Sequence, residues 1–172
     1  RSRAAAPGLH IAAFFAAAAV AIGYRVTVCD PRPLFATAER FPGAEVVVKW
    51  PTVWLAGEIS TSANSESTAT ITESTAICVL SHDSRFDAEL IALALESPAG
   101  YVGAMGSRTT HDRRVASLAD RGVTDLSRLR SPIGLDLGAS TPEETAISIL
   151  AEVLASRAGG TGLSLTETTG AI

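Results

Sequence analysis

Residues 101–121 read YVGAMGSRTTHDRRVASLADR and contain, in direct succession, a short strand, a turn and a helix. Tyr101 and Val102 are strand-forming residues, and the glycines just after them permit a tight turn. Ser107 can cap the helix that follows, and Gly122 stands where a left-handed residue commonly ends one. The order predicts a βα unit and therefore an α/β domain.

The same alternation continues on both sides of this segment. Short apolar runs rich in β-branched residues predict buried parallel strands at residues 24–29, 45–48, 76–80 and 101–102. Helical patterns are predicted at residues 11–22, 84–95, 107–121 and 142–157. We predict a Rossmann-like three-layer α/β fold with a mostly parallel sheet over residues 1–158, followed by a tail over 159–172.

Capping residues mark where two of the helices should start. Ser84 with Asp87 matches a capping box, and so does Thr141 with Glu144, which is strengthened by the intervening proline. The helical spacing predicts three buried residues in the last helix: Ile147, Leu150 and Leu154. Residues 57–75, dominated by serine, threonine and glutamate, are predicted to form a surface loop.

The start of the chain departs from the usual dinucleotide-binding pattern. No glycine lies between Gly8 and Gly23, so a GxGxxG loop is missing there. A strand, a turn and a helix need roughly twenty residues, whereas residues 9–23 number fifteen. Either this segment lacks the first phosphate loop, or residues that would form it are missing.

Composition limits the classes of function. The net charge of −4 argues against broad binding to nucleic acid or anionic lipid. The longest apolar stretch, residues 11–22, is shorter than the roughly twenty residues of a membrane span. Cys29 and Cys78 lie in strand-like runs and match no disulfide or metal-binding spacing, so we expect structural thiols and a cytoplasmic location.

The segment from Gly103 to Arg108 is the strongest candidate site. Gly103 and Gly106 allow a close backbone approach, Ser107 offers a hydroxyl and Arg108 a positive charge, and together they would suit an anion at a helix start. A plain tight turn is the alternative. Gly134, in the later loop over residues 132–138, could supply further backbone amides.

Two other segments fall where strands are predicted to end. Asp30 could accept hydrogen bonds from a ribose, or it could simply be a turn residue, and Arg32 could bind a phosphate or a carboxylate. His82 could act as an acid, a base or a metal ligand, although a structural role is the more common one for a lone histidine, and Asp83 also suits a helix start. No catalytic triad, HExxH motif or Walker lysine is present, and we assign no catalytic residue and no metal ligand.

Five blocks of this sequence, in order, resemble the signature blocks of the XdhC/CoxF family, accessory factors of xanthine dehydrogenase. They are YRVTVCDPRP at 24–33, LSHD with FD at 80–87, YVGAMGSR at 101–108, SPIGLDLG at 131–138 and TPEE at 141–144. The resemblance covers about residues 24–157 and concerns the family's C-terminal Rossmann-like domain.

The resemblance implies a cofactor-binding chaperone rather than a catalyst. Such proteins bind molybdenum cofactor and deliver it to an apoenzyme of the xanthine dehydrogenase type. It also implies a homodimer, a cysteine desulfurase as a further partner, and a preceding domain with a cysteine motif that this sequence does not contain. The phosphate of the cofactor would suit loops rich in backbone amides.

The residues leave two other functions open. The Rossmann-like alternation and Asp30 would also suit an NAD(P)-dependent oxidoreductase. The serine- and threonine-rich segment and the tail would suit a protein interaction module.

Overall fold

The computed structural model describes residues 7–64, 71–81 and 86–169 and alternates helices with short strands. Its α-helices are α1 Pro7–Ala21, α2 Pro51–Asn64, α3 Asp87–Glu96, α4 Arg108–Ala119 and α5 Pro142–Ala158. Its strands are β1 Thr27–Cys29, β2 Glu45–Val47, β3 Ala76–Val79, β4 Tyr101–Ala104 and β5 Leu129–Arg130. A 3-10 turn, Leu165–Glu167, lies in the tail.

The strands form two parallel sheets. β1 pairs with β2, whereas β4 lies between β3 and β5 in the second sheet. Each strand pair is parallel among the described residues, which confirms the predicted α/β class with parallel strands. The short strand β5 was missed by the sequence analysis, because a two-residue strand carries no periodicity.

Helices cover both faces of the second sheet. Val102 and Ala104 of β4 belong to a core cluster that also contains residues of α2, α3 and α4. On the opposite face, the Tyr101 hydroxyl donates to Glu152 of α5. Because successive side chains of a strand point to opposite faces, this pattern makes three layers, with α5 and its neighbour α1 on one side.

The prediction of a loop over residues 57–75 was wrong for its first part, since α2 extends to Asn64. Leu55 anchors this helix in the core, and Trp54 and Ile59 pack beside it. The hydroxyls of Ser60 and Thr61 donate to carbonyls four residues earlier, so these polar side chains are satisfied by the helix itself.

Two predictions about helices also need correction. The helix α3 begins at Asp87 and its N-cap position is Phe86, which makes no side-chain cap, whereas the predicted cap residue Ser84 lies outside the described residues. Ile147 of α5 is exposed rather than buried, because the helix packs instead through the residues on either side of it, Ala146 and Ser148. Leu150 is buried as predicted.

The start of the described chain is helical throughout. Leu9 and Ile11, the apolar residues where a first strand could have formed, lie inside α1 and are buried. No helix in the described ranges combines the length and apolarity that a membrane span requires.

Candidate functional site

The strands β1, β3, β4 and β5 end at what we call the carboxyl edge, defined by Asp30, Ser81, Met105 and Ser131. Open α/β sheets bind their ligands at this edge, since loops and helix N-termini meet there. Three of these strand ends, those of β3, β4 and β5, are joined by side-chain hydrogen bonds.

A buried ion pair lies beneath these three strand ends. Nη2 of Arg114 lies 2.9 Å from Oδ2 of Asp87, and the two side chains are only 3% and 11% exposed. The same nitrogen donates to the carbonyl of Met105, and Nη1 donates to the Ser131 hydroxyl at 2.8 Å. Ser81 completes the network by donating its hydroxyl to Oδ1 of Asp87.

The network fixes the carboxyl edge because each of its members belongs to a different strand end or helix. Arg114 projects from α4 and Asp87 begins α3. Removing either charge would leave the other buried without its counter-charge, which is strongly unfavourable. These residues therefore position the surrounding loops.

The sequence pattern indicated only a helix start at Asp87 and no role for Arg114. One signal could have found the pair. Arg114 and Leu118 are the buried residues of α4, spaced one turn apart, so a charge occupies the stripe that faces the core.

The turn into α4 contains the best candidate for anion binding. Gly106 has a φ of +153°, and a Cβ added there would lie 2.8 Å from Cγ2 of Thr110. Ser107 caps the helix as predicted, its hydroxyl accepting from the Thr110 amide at 3.2 Å. Arg108 is exposed at the first position of the helix. The positive end of the helix dipole and a guanidinium thus lie side by side.

The presence of glycine at position 103 has a structural reason that the sequence pattern did not indicate. Gly103 lies inside β4, opposite Cys78 and Arg130, rather than in the turn. A Cβ at this position would clash with the side chains of Ile133 and Tyr101, which would have to shift to make room for it.

Gly134 likewise has a partner within the chain. Its φ is +106°, and its amide donates to Oε2 of Glu152 at 2.7 Å. The same carboxylate oxygen accepts from the Tyr101 hydroxyl at 2.6 Å, so Glu152 joins α5 to β4 and to this loop. The Gly134 amide is thus already bound to an acidic side chain, and its contribution to anion binding stays a prediction in which the anion would have to displace Glu152.

Burial is the main cause of the raised pKa values of the two titratable groups beside Glu152. Burial, and to a lesser extent the negative charge of Glu152, raises the pKa of the Cys78 thiol to about 12. Burial together with the hydrogen bond to Glu152 also raises the pKa of Tyr101 above its ordinary range.

Asp30 and Arg32 form a bidentate pair at the end of β1. The Asp30 carboxylate accepts from Nε of Arg32 at 2.9 Å and from Nη2 at 2.7 Å, and also from the Arg32 amide. The guanidinium lies 4.5 Å from the ring centroid of Phe35. Asp30 thus serves the turn, and a ribose would have to compete with Arg32 for it.

An aromatic pair, which the sequence analysis did not assign to the site, lies between β2 and α3. Trp50 follows β2 closely and is 50% exposed, and its ring meets that of Phe86 edge-on at a centroid distance of 5.9 Å. Cys29, at the end of β1, donates its thiol to the carbonyl of Lys49, the residue before Trp50. Burial raises the pKa of this thiol to about 11.

The predicted residues His82 and Asp83 lie outside the described residues. Within the described part of the chain, no cluster of three or more histidine, cysteine, aspartate or glutamate residues could hold a metal ion.

A family model described as the XdhC Rossmann domain matches residues 7–153. Among curated proteins, one from Bacillus subtilis, named as a probable subunit of xanthine dehydrogenase, is 29% identical over 78% of this chain and 36% of its own length. The Escherichia coli molybdenum cofactor insertion chaperone PaoD is 33% identical over 52% of this chain and 29% of its own.

A solved structure has the same fold. A crystal structure of a xanthine dehydrogenase from Bacillus halodurans superimposes with a TM-score of 0.72 at 25% identity, covering 88% of this chain and 42% of that one. The chain thus spans about a third of the length of the two curated relatives above and less than half of the solved one.

Proposed function

Because this chain belongs to the XdhC family, whose Rossmann domain it carries over residues 7–153, we propose that it binds molybdenum cofactor as cargo. It then delivers this cargo to an apoenzyme of the xanthine dehydrogenase type. The molecule acts by binding and release at the carboxyl edge rather than by catalysis.

One observation carries this proposal: the buried Asp87–Arg114 pair holds the ends of β3, β4 and β5 together, directly beside the N-terminus of α4. A phosphate-bearing cargo suits a helix N-terminus, because backbone amides and the helix dipole both favour an anion there. The names of two relatives, which mention xanthine dehydrogenase and insertion of the molybdenum cofactor, support the same cargo.

Different residues bind the phosphate and the pterin ring of the cargo. Gly106, Ser107 and Arg108 hold the phosphate, since they combine a close backbone approach with a positive charge. Trp50 is half-exposed and packs against Phe86, and the pterin ring stacks on its free face. We assign His82 and Asp83 to the same site from their position after β3, and Arg32 to its outer margin.

We further propose that the protein works as a homodimer in the cytoplasm, with a cysteine desulfurase as a second partner. The resemblance of the five sequence blocks to the XdhC/CoxF family implies the dimer and the desulfurase, and the two cysteines occur as free thiols, which suits a reducing compartment.

The experiment compares two arginines at opposite ends of α4. The full chain is produced in cells that make the cofactor, and molybdenum and oxidised pterin are measured in the purified protein. We expect Arg108→Ala to retain about 10-fold less of both, as the loss of a charge-assisted contact predicts. Arg121→Ala removes the same charge beyond the last turn of the helix and should retain them fully. Purification of the wild-type chain without molybdenum or pterin would overturn the proposal.

Titration with NAD or NADP distinguishes the proposed chaperone from the alternative, an NAD(P)-dependent oxidoreductase. Saturable quenching of Trp50 or Trp54 fluorescence by NAD or NADP would favour it. The bidentate Asp30–Arg32 pair predicts no saturation, because the carboxylate that would bind the ribose is engaged.

A further inference from the structure

We propose that the chain binds a small zwitterion, a free α-amino acid with a short side chain, in a cavity at the amino edge of the second sheet. This amino-edge cavity is defined by Tyr24, Glu73, Thr75, Gly100 and Arg157. The strands β3 and β4 begin there, whereas the proposed cargo site lies at the carboxyl edge, where they end. This second site therefore does not depend on the nature of the cargo.

The size of the amino-edge cavity limits its ligand to a small molecule. Its volume is about 140 Å³, whereas sites for drug-sized ligands measure about 300–1,000 Å³. A cavity of about 150 Å³ holds one molecule the size of benzene. Alanine is of that size, whereas a pterin cofactor is larger.

Tyr24 contributes a buried hydroxyl that lacks a partner. This hydroxyl is shielded from solvent and forms no hydrogen bond within the described part of the chain. A buried polar group without a hydrogen bond is costly, so such groups are normally satisfied by water or by a ligand. The other tyrosine of the cavity, Tyr101, donates to Glu152 and needs no such partner. The Tyr24 hydroxyl is thus available to donate to a ligand.

Two opposite charges line the cavity and do not neutralise each other. The guanidinium of Arg157 lies 5.3 Å from the ring centroid of Tyr24. Neither Arg157 nor Glu73 forms a salt bridge with any residue that the structure describes. A carboxylate suits the guanidinium and the Tyr24 hydroxyl, because both donate hydrogen bonds to it.

The remaining charges around the cavity favour a cation. Glu73 is negative, and Ser156 lies in the last turn of α5, where the helix dipole places a partial negative charge. An ammonium group would be stabilised by both, whereas a simple anion would be repelled by them. A ligand with one carboxylate and one ammonium group therefore matches all of these charges.

Backbone contacts give the cavity a fixed wall. The Thr75 amide donates to the carbonyl of Thr72 at 2.8 Å and closes a turn, and the Gly100 amide donates to the carbonyl of Thr75 at 3.1 Å. A Cβ at Gly100 would clash with the carbonyl of Glu73, so a larger residue would push the two loops apart. The cavity is thus formed by the chain itself before a ligand binds.

The test compares three ligands that differ by one charged group. L-alanine carries both charges, propionate lacks the ammonium group and ethylamine lacks the carboxylate. Each is titrated into the full chain, and the backbone amide resonances of Thr75, Gly100 and Arg157 are followed. We expect saturable shifts with L-alanine and at least about 10-fold weaker binding of the other two, since each loses one charge-assisted contact.

Two variants test the donors of the site. Arg157→Gln should weaken the binding of L-alanine about 10-fold, and Tyr24→Phe, which removes only the hydroxyl, about 5-fold. Arg25→Gln changes the exposed arginine next to Tyr24, which does not line the cavity, and should bind L-alanine as the wild type does.

Three results would overturn the proposal. Absence of saturable shifts with L-alanine would mean that the Tyr24 hydroxyl is satisfied by water alone. Propionate that binds as tightly as L-alanine would show a site for simple anions. Unchanged binding of L-alanine in either donor variant would place its carboxylate elsewhere.

Discussion

Arg114 is the residue on which the account depends most, because it occupies a core-facing position of α4 and yet carries a charge. Its guanidinium reaches Asp87, Met105 and Ser131 at once. Its Nε has no hydrogen-bond partner in the described part of the chain. The three hydrogen bonds of this side chain are all made by Nη1 and Nη2.

We predict that Arg114→Met or Asp87→Leu each lowers the free energy of unfolding by about 3 kcal/mol, since each leaves one buried charge unpaired. The double variant should lose clearly less than the sum of the two, because neither charge remains. Urea unfolding of the four proteins measures both quantities. Strict additivity, or single variants as stable as the wild type, would contradict the role given to the pair.

The two thiols provide a second prediction at this scale. With pKa values raised to about 11 and about 12, Cys29 and Cys78 carry almost no thiolate at about pH 8. Alkylation of the native protein by iodoacetamide should therefore be at least about 10-fold slower than in denaturant. Equal rates in the two conditions would show that burial does not protect these groups.

At the scale of elements, α5 shows what local sequence determines. The capping box of Thr141 and Glu144 forms as predicted, and Gly159 ends the helix with a φ of +67°. Three backbone and side-chain groups of Ser140 and Thr141 donate to the Glu144 carboxylate. These bonds, the Ser140 amide foremost, hold the pKa of Glu144 below its ordinary value of 4.5.

This cap predicts a dependence of stability on pH. Because the folded-state pKa is lowered, the contribution is complete above about pH 4.5 and is lost as the pH falls through the folded value. The wild type should therefore have a higher Tm than Glu144→Gln at neutral pH, and the difference should shrink in acid. Glu143→Gln, which changes a neighbouring carboxylate outside the box, serves as the control. A difference that stays constant down to about pH 3 would contradict the assignment.

The elements that escaped sequence analysis depend on tertiary contacts. The serines and threonines of α2 suggested a loop, whereas burial of Leu55 against α3 stabilises a helix. Strand β5 has two residues and exists because Arg130 pairs with Gly103. The separation into two sheets also depends on distant residues, so an alternation of strands and helices could not predict it.

At the scale of the whole molecule, the carboxyl edge was predictable and its details were not. Parallel strands bring their ends to one side, so the placement of the turn into α4 followed from the alternation. The sequence pattern could not predict that the Gly134 amide donates to Glu152, because these two residues are far apart in the sequence. It also could not predict that Arg32 pairs with Asp30, because this contact depends on the geometry of a local turn. Of the residues predicted to bind an anion, we therefore keep Gly106, Ser107 and Arg108 in the proposed site.

The most direct test of this account is a titration of the full chain with the phosphate-bearing pterin cofactor, followed by the shifts of backbone amide resonances. We expect the largest changes at Gly106, Ser107 and Arg108, with smaller ones at Trp50 and Phe86. Changes centred instead near Tyr24 and Arg157, which line a cavity beside the N-terminal end of β3, would contradict binding at the carboxyl edge.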